Sequence, residues 1–184
     1  MSITFIIPSL SRPSLPKTIE SLLKQTNPSW KCIIIYDGVN GSDFEDPRIE
    51  TMSIPKTGID TKKLGQSGLV RNYGIKKCNT EWIGFLDDDD TIHPDYVKTL
   101  FEKYTSYDFV VWRMRNNNGL VIPRWEKNEL VINNVGISFC YKNKFGDLLF
   151  DSNINGEDFY FVDKLQKRTS NFTITQEVFY FIRH

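Results

Sequence analysis

The sequence predicts an α/β fold built on an open, mostly parallel sheet, and three observations predict it. Short apolar runs alternate with amphipathic stretches from the N-terminus to Arg113, the order of a sheet layered with helices. These runs are continuous rather than alternating, as in strands covered on both faces. Polar residues follow them directly at Pro8-Ser9, Asp37-Gly38 and Asp87 to Asp90, and open parallel sheets bind ligands outside the carboxyl ends of their strands.

Each element has its own reason. Ile3 to Ile7 is a β-branched run stopped by Pro8, hence a buried strand. Pro16 to Gln25 places Ile19, Leu22 and Leu23 at helical spacing, and Lys31 to Tyr36 is a second strand ended by the turn pair Asp37-Gly38. Strand, helix and strand in succession form a βαβ unit with parallel strands. Met52 to Ile54 is a weaker strand, Gly68 to Cys78 a helix, and Trp82 to Leu86 the next strand. Pro94 to Tyr104 reads as a helix with Pro94 in its first turn, and Phe109 to Arg113 as a strand. Beyond Arg113 the alternation changes. Asn116 to Gly119 is a turn, Leu120 to Ile122 and Ser138 to Tyr141 are short strands, Glu157 to Lys167 is a helix, and Phe172 to Ile182 is the last strand.

A chain of 184 residues predicts one domain, 1–184, with a Rossmann-like half to residue 113 and a mixed half from 114. Lysine plus arginine equal aspartate plus glutamate at 23 each, so no global field favours nucleic acid or an anionic membrane. Cys32, Cys78 and Cys140 lack metal-ligand spacing, which suits a reducing compartment and a cytoplasmic location. The N-terminus reads as neither a signal peptide nor a membrane span, because Pro8 breaks its apolar run and no positive segment precedes it. No transmembrane segment is expected elsewhere.

The run WIGFLDDDDTIHP carries the strongest chemical signal. Four adjacent aspartates at a partly desolvated strand end repel one another unless a cation compensates them. Their hard oxygens suit Mn²⁺ or Mg²⁺, which share remaining positions with water and substrate phosphates. If the segment stays extended, Asp87 and Asp89 point to one side and Asp88 to the other. The bland alternative is a solvated turn with Asp90 leading into the next helix.

The segments FIIPSLSRPSLPKTIESLLKQT, IIIYDGVNGSD, LVRNYGIKKCNTEWIGFLDDDDTIHPDYV, NGEDFYFVDKL and YFIRH, in that order, resemble an inverting glycosyltransferase of the family-two type. That resemblance spans essentially the whole chain and implies a GT-A nucleotide-diphospho-sugar-binding fold. It implies that Pro8, Ser9 and Leu10 border the nucleotide, that Asp37 hydrogen-bonds the base, and that Arg71 helps hold the nucleotide or its phosphates. Asp87-x-Asp89 matches the family's Asp-x-Asp motif, with Asp89 the direct metal ligand and Asp87 and Asp88 serving ribose and metal-water contacts. His184 matches a histidine that approaches the metal or diphosphate.

Transfer from such a donor also needs a carboxylate to take the proton of the attacking hydroxyl. Asp158, with Glu157 as understudy, matches the family's Glu-Asp motif. The same residues read locally as a helix start with Asn155 as N-cap. Trp125 and Gly156 are candidate acceptor contacts, and Trp125 equally suits a cover over the core. The expected partners are a UDP-sugar donor, with a GDP-sugar as the alternative, and a glycan acceptor. Two other readings stay open: a sugar nucleotidyltransferase, disfavoured because Pro8 to Arg12 contains no glycine, and a non-catalytic nucleotide-binding module.

Overall fold

Uncharged isoleucine-rich runs build the first half of the sheet. The computed structural model describes residues 1–57, 67–151 and 155–183. In it β1 (Ile3–Ser9) leads through α1 (Leu15–Leu23) to β2 (Trp30–Asp37), and the two strands pair in parallel. β3 (Ile49–Ile54) adds in parallel outside β2, and β4 (Trp82–Phe85), which follows α2 (Ser67–Lys77), pairs in parallel with β1 on its other side. β3 is longer than its apolar core Met52 to Ile54 suggests. Among the described residues it pairs only with β2, and it keeps polar residues on its exposed positions.

Helical elements cover both faces of this parallel block. On one face α2 approaches so closely that a Cβ on Gly74 would lie 2.6 Å from Ile6 and 3.1 Å from Ile35. Glycine is needed there for contact with the sheet rather than for its backbone freedom. On the other face Tyr96, the first residue of α3 (Tyr96–Thr99), sets its ring edge-on to Phe5 with centroids 5.4 Å apart. Phe5 and Ile6 therefore point oppositely, as neighbours on a strand must.

The predicted helix from Pro94 to Tyr104 is corrected in two respects. Its N-cap is Asp95 rather than a position before Pro94, and α3 passes into a π turn, Leu100–Tyr104. In a regular α-helix positions 96 and 104 differ in direction by about 80°, and one extra residue in the turn nearly removes that difference. Both Tyr96 and Tyr104 consequently rest on Trp112, with centroids 4.4 and 5.5 Å away.

The second half of the sheet is mixed. After β5 (Thr91–Ile92) come β6 (Phe109–Arg115), β7 (Val121–Ile122), β8 (Phe139–Lys142) and, beyond α4 (Glu157–Arg168), β9 (Phe172–Phe181). The order β3-β2-β1-β4-β8-β6-β9-β5, with β7 on β6, makes one nine-stranded sheet among the described residues. β8 runs antiparallel to both β4 and β6, while β9 is parallel to β6. β5 is too short to read as a strand from sequence, and it forms by pairing with Tyr180 and Phe181.

Packing fixes where α4 starts. Phe161 of α4 lies against Phe150 and Phe85, with centroids 4.3 and 6.0 Å away, which holds the first turn of α4 beside the carboxyl end of β4. The N-cap is Gly156 at φ 77°, not Asn155, a left-handed conformation that glycine adopts without steric cost.

Candidate active site

The acidic run leaves the sheet immediately. Leu86 still donates its amide to Ile6, but Asp90 donates to the Asp87 carbonyl at 3.1 Å, which closes a turn over Asp88 and Asp89. The extended alternation of Asp87 and Asp89 is therefore corrected, because a tight turn places successive side chains by its own geometry. Asp88 turns back on β1, accepting hydrogen bonds from Ser9 Oγ at 2.7 Å and from the Leu10 amide at 3.2 Å. Asp88 and Asp89 share a cation: the Arg12 guanidinium lies 3.3 Å from Asp88 Oδ1 and closer still to Asp89 Oδ2. Asp87 faces away, toward Arg71.

Arg71, on the buried face of α2, is a hub. Its guanidinium donates to Asp87 Oδ1 at 2.5 Å and to Glu157 Oε1 at 2.7 Å, with Asp158 Oδ1 at 3.9 Å. Burial alone would lower its pKa, yet Asp87, Asp158 and Glu157 together raise it above the ordinary value, so the group stays charged. Arg71 thus joins the acidic turn to the Glu-Asp pair. Glu157 also accepts the Gly68 amide at 3.0 Å in the first turn of α2, so both of its oxygens are engaged. Gly68 permits the approach: a Cβ there would fall 2.6 Å from Glu157 and 2.7 Å from Phe150.

Asp158 differs from its neighbour. Its Oδ1 is enclosed without a hydrogen-bond partner among the described residues. Burial, reinforced by Asp87 and Glu157 and opposed by Arg71, pushes its carboxyl up to about 7. Asp90 is a second such group. It is 2% exposed, and burial together with Asp87 raises it to about 7 in spite of hydrogen bonds from Tyr180 and the Arg183 amide. Asp90 is consequently a buried anchor for the end of β9, which corrects its reading as a solvated lead into a helix. Burial raises Asp88 as well, against the hydrogen bond from Ser9. Among the described residues the guanidiniums of Arg12 and Arg71 thus lie against five carboxyl groups at this end of the sheet, those of Asp87, Asp88, Asp89, Glu157 and Asp158.

The remaining predicted residues distribute around this centre. Pro8 is buried at the end of β1 and Leu10 is exposed just beyond it. Asp37, buried at the end of neighbouring β2, binds Lys56 Nζ at 2.7 Å and the Thr57 amide at 2.5 Å. Trp125 is 49% exposed, and the buried Arg113 guanidinium lies 4.1 Å beneath its ring. Arg113 is itself held by the Pro123 carbonyl and by Asn128 Oδ1 at 2.8 Å. Gly156 is exposed, and a Cβ there would touch Ile132, from the segment between β7 and β8, at 3.8 Å. His184 lies outside the described residues. His93 Nδ1 accepts the Asp95 amide at 3.1 Å.

Three residues escaped the sequence reading: Arg12, Gly68 and Tyr180. Tyr180 accepts the Asp87 amide at 3.1 Å, ninety-three positions away. Only Arg12 left a local signal, as the lone cation in the loop after the first strand.

The residues present fit a hard divalent cation. Asp87, Asp88 and Asp89 offer oxygen donors alone, and guanidinium charge already gathers on them. Among the described residues no three or more carboxylate, histidine or cysteine side chains converge to hold a metal ion. An ion bound there would therefore complete its shell with water and substrate oxygens.

Comparison with known proteins shows the family and the fold. The sequence model of the family described as Glycosyl transferase family 2 matches residues 4–156. Poly(ribitol-phosphate) beta-N-acetylglucosaminyltransferase TarP of Staphylococcus aureus is 24% identical over 208 residues, covering 98% of this chain and 62% of TarP. Glycosyltransferase GlyA of Streptococcus pneumoniae is 29% identical over 107 residues, 57% of this chain and 15% of GlyA. Among solved structures, Staphylococcus aureus TarS in complex with UDP-GlcNAc superposes with a TM-score of 0.71 at 18% identity, over 100% of this chain and 59% of that one. The mannosyltransferase PcManGT from Pyrobaculum calidifontis, in complex with GDP-Man and Mn²⁺, gives a TM-score of 0.66 at 11% identity, over 99% of this chain and 56% of that one. These structural likenesses show the fold. The chain spans less than two thirds of the length of each of these relatives. No helix among the described residues is long and apolar enough to cross a membrane.

Proposed function

This chain belongs to glycosyl transferase family 2, and from that premise we propose that it moves a sugar from a nucleotide-diphosphate donor to a hydroxyl of a glycan acceptor, with inversion. The observation that carries the proposal is the bridge made by Arg71, which ties the acidic turn to the Glu157-Asp158 pair within one buried contact set. A donor-holding group and a base-bearing group must keep a fixed separation for in-line attack, and a shared guanidinium supplies that rigidity.

Asp158 is the general base of this proposal. Both oxygens of Glu157 are engaged by Arg71 and the Gly68 amide, whereas Asp158 Oδ1 accepts no hydrogen bond among the described residues and meets Arg71 only at 3.9 Å. A carboxyl raised to about 7 holds a proton weakly enough to exchange it near neutral pH. Ser9, Leu10 and Pro8 border the nucleotide at the end of β1, Asp37 meets the base beside them, and Asp88 faces the ribose. Trp125 and Gly156 lie on the acceptor side.

Asp89 would hold the cation, Mn²⁺ or Mg²⁺, directly, with Asp87 and Asp88 reaching it through its bound water. When bound, it supplies positive charge to the departing diphosphate. A UDP-sugar is favoured as donor and a GDP-sugar is the alternative, with the TarS complex containing UDP-GlcNAc and the PcManGT complex containing GDP-Man supporting the respective readings. The test pairs binding with turnover. Asp158→Asn should retain nucleotide-dependent stabilisation in Mn²⁺ while donor turnover falls by about 10²- to 10⁴-fold. Undiminished turnover would remove Asp158 as base.

A further inference from the structure

We propose that Arg12 is the resident counter-ion of the acidic turn, and that a divalent cation enters by displacing its guanidinium from Asp88 and Asp89. This rests on the reading of that turn as the cation site of a family 2 glycosyltransferase.

The two arginines at the site are built differently. Arg71 has a side chain 3% exposed, is held by carboxylates from two segments, and cannot leave without opening the protein. Arg12 has a side chain 48% exposed, and its contacts with Asp88 and Asp89 are its ion pairs among the described residues. It can swing into solvent without leaving a cavity. What it leaves behind stays ordered, because Ser9 Oγ and the Leu10 amide hold Asp88 from the other side. The loop itself is folded back on the turn, with Ser11 at φ 59° and its amide donating to Ser9 Oγ at 2.9 Å.

Charge and geometry make the occupants exclusive. A small dication binds carboxylate oxygens at about 2.1 Å, and a guanidinium hydrogen-bonded to those same oxygens occupies their lone pairs and adds a like charge beside the ion. The exchange is cheap in one direction and productive in the other. A half-exposed ion pair is weak, so it holds back a competitor by only about two- to fivefold. It offsets part of the turn's negative charge while no cation is bound, yet it does not block loading.

The experiment follows the EPR signal of free Mn²⁺ during titration of the nucleotide-free protein, and again with UDP present. Three proteins are compared: wild type, Arg12→Gln, and Lys24→Gln, which removes an equal charge from an exposed residue paired with Glu20. The expected result is a Kd for Mn²⁺ about two- to fivefold lower in Arg12→Gln than in wild type, with Lys24→Gln unchanged. Equal or weaker binding by Arg12→Gln would overturn the displacement proposal alone. An equal gain in both variants would also overturn it, since bulk charge would then explain the effect. No Mn²⁺ binding by any of the three, with or without UDP, would instead remove the cation reading on which it rests.

Discussion

Replacing Arg71 with methionine keeps most of the side-chain volume and removes the one cation that Asp87, Glu157 and Asp158 share. The guanidinium is 2% exposed and donates at 2.5 and 2.7 Å to carboxylates from two segments. Breaking a buried ion pair from one side costs about 3–5 kcal/mol, because the abandoned charges stay desolvated. At about 2–4 °C per kcal/mol for a domain of this size, Tm should fall by about 6–20 °C. The loss should also depend on pH. Asp158, with a folded-state value already raised to about 7, rises further without Arg71, so the stability tied to its protonated form is present at low pH and lost as pH rises through neutrality. The deficit of Arg71→Met should therefore be smaller at pH 5 than at pH 8. Arg71→Lys should recover only part of it, since one ammonium does not reproduce the fork that spans two carboxylates. Thermal and urea denaturation in metal-free buffer at both pH values provide the assay. A Tm within about 2 °C of wild type at pH 8 would show that Arg71 does not hold these carboxylates together.

Other perturbations follow the same logic. Asp90 is buried with its carboxyl raised from 3.8 to about 7, so its ionisation costs stability as pH climbs through that interval. Asp90→Asn should gain up to about 4 kcal/mol over wild type at pH 8 in metal-free buffer, and almost nothing at pH 4. A gain that is equal at both pH values would contradict the assignment. Gly74→Ala sets overpacking against Ile6 and Ile35, about 1–3 kcal/mol, against about 1 kcal/mol of helix propensity, so urea denaturation should register a net loss. Trp125→Ala should raise the apparent KM for a glycan acceptor while leaving nucleotide affinity unchanged in calorimetry; a loss confined to nucleotide affinity would move Trp125 off the acceptor side.

Legibility followed the range of the interactions. β1, β2 and β4 were readable because each buries both faces and so carries an unbroken apolar run, and α1 was readable from Ile19 and Leu22 at helical spacing. β5 was not, because two residues become a strand only by pairing with Tyr180 and Phe181. The π turn at Leu100–Tyr104 likewise has its cause in Trp112, outside its own segment. At the site, the residue types of the acidic run announced a demand for cations. The way that demand is divided was not legible. Which aspartate meets Arg12, which meets Arg71 and which is sealed under Tyr180 depends on partners up to ninety-three positions away. Asp90 illustrates the difference: as the last acid of a run it reads as solvated, and only the arrival of β9 buries it.

The central claim, that the acidic turn binds a nucleotide-sugar donor together with a divalent cation, is tested most directly by a thermal-shift panel of UDP- and GDP-sugars with and without Mn²⁺ on wild type and Asp89→Asn. At a ligand concentration about 100-fold above Kd, binding contributes about 2.7 kcal/mol, or about 5–10 °C for a domain of this size. Wild type should show that shift with a UDP-sugar and Mn²⁺ together, and should lose it when either Mn²⁺ or the Asp89 carboxylate is removed. No shift with any nucleotide sugar, or a full shift retained by Asp89→Asn, would contradict it.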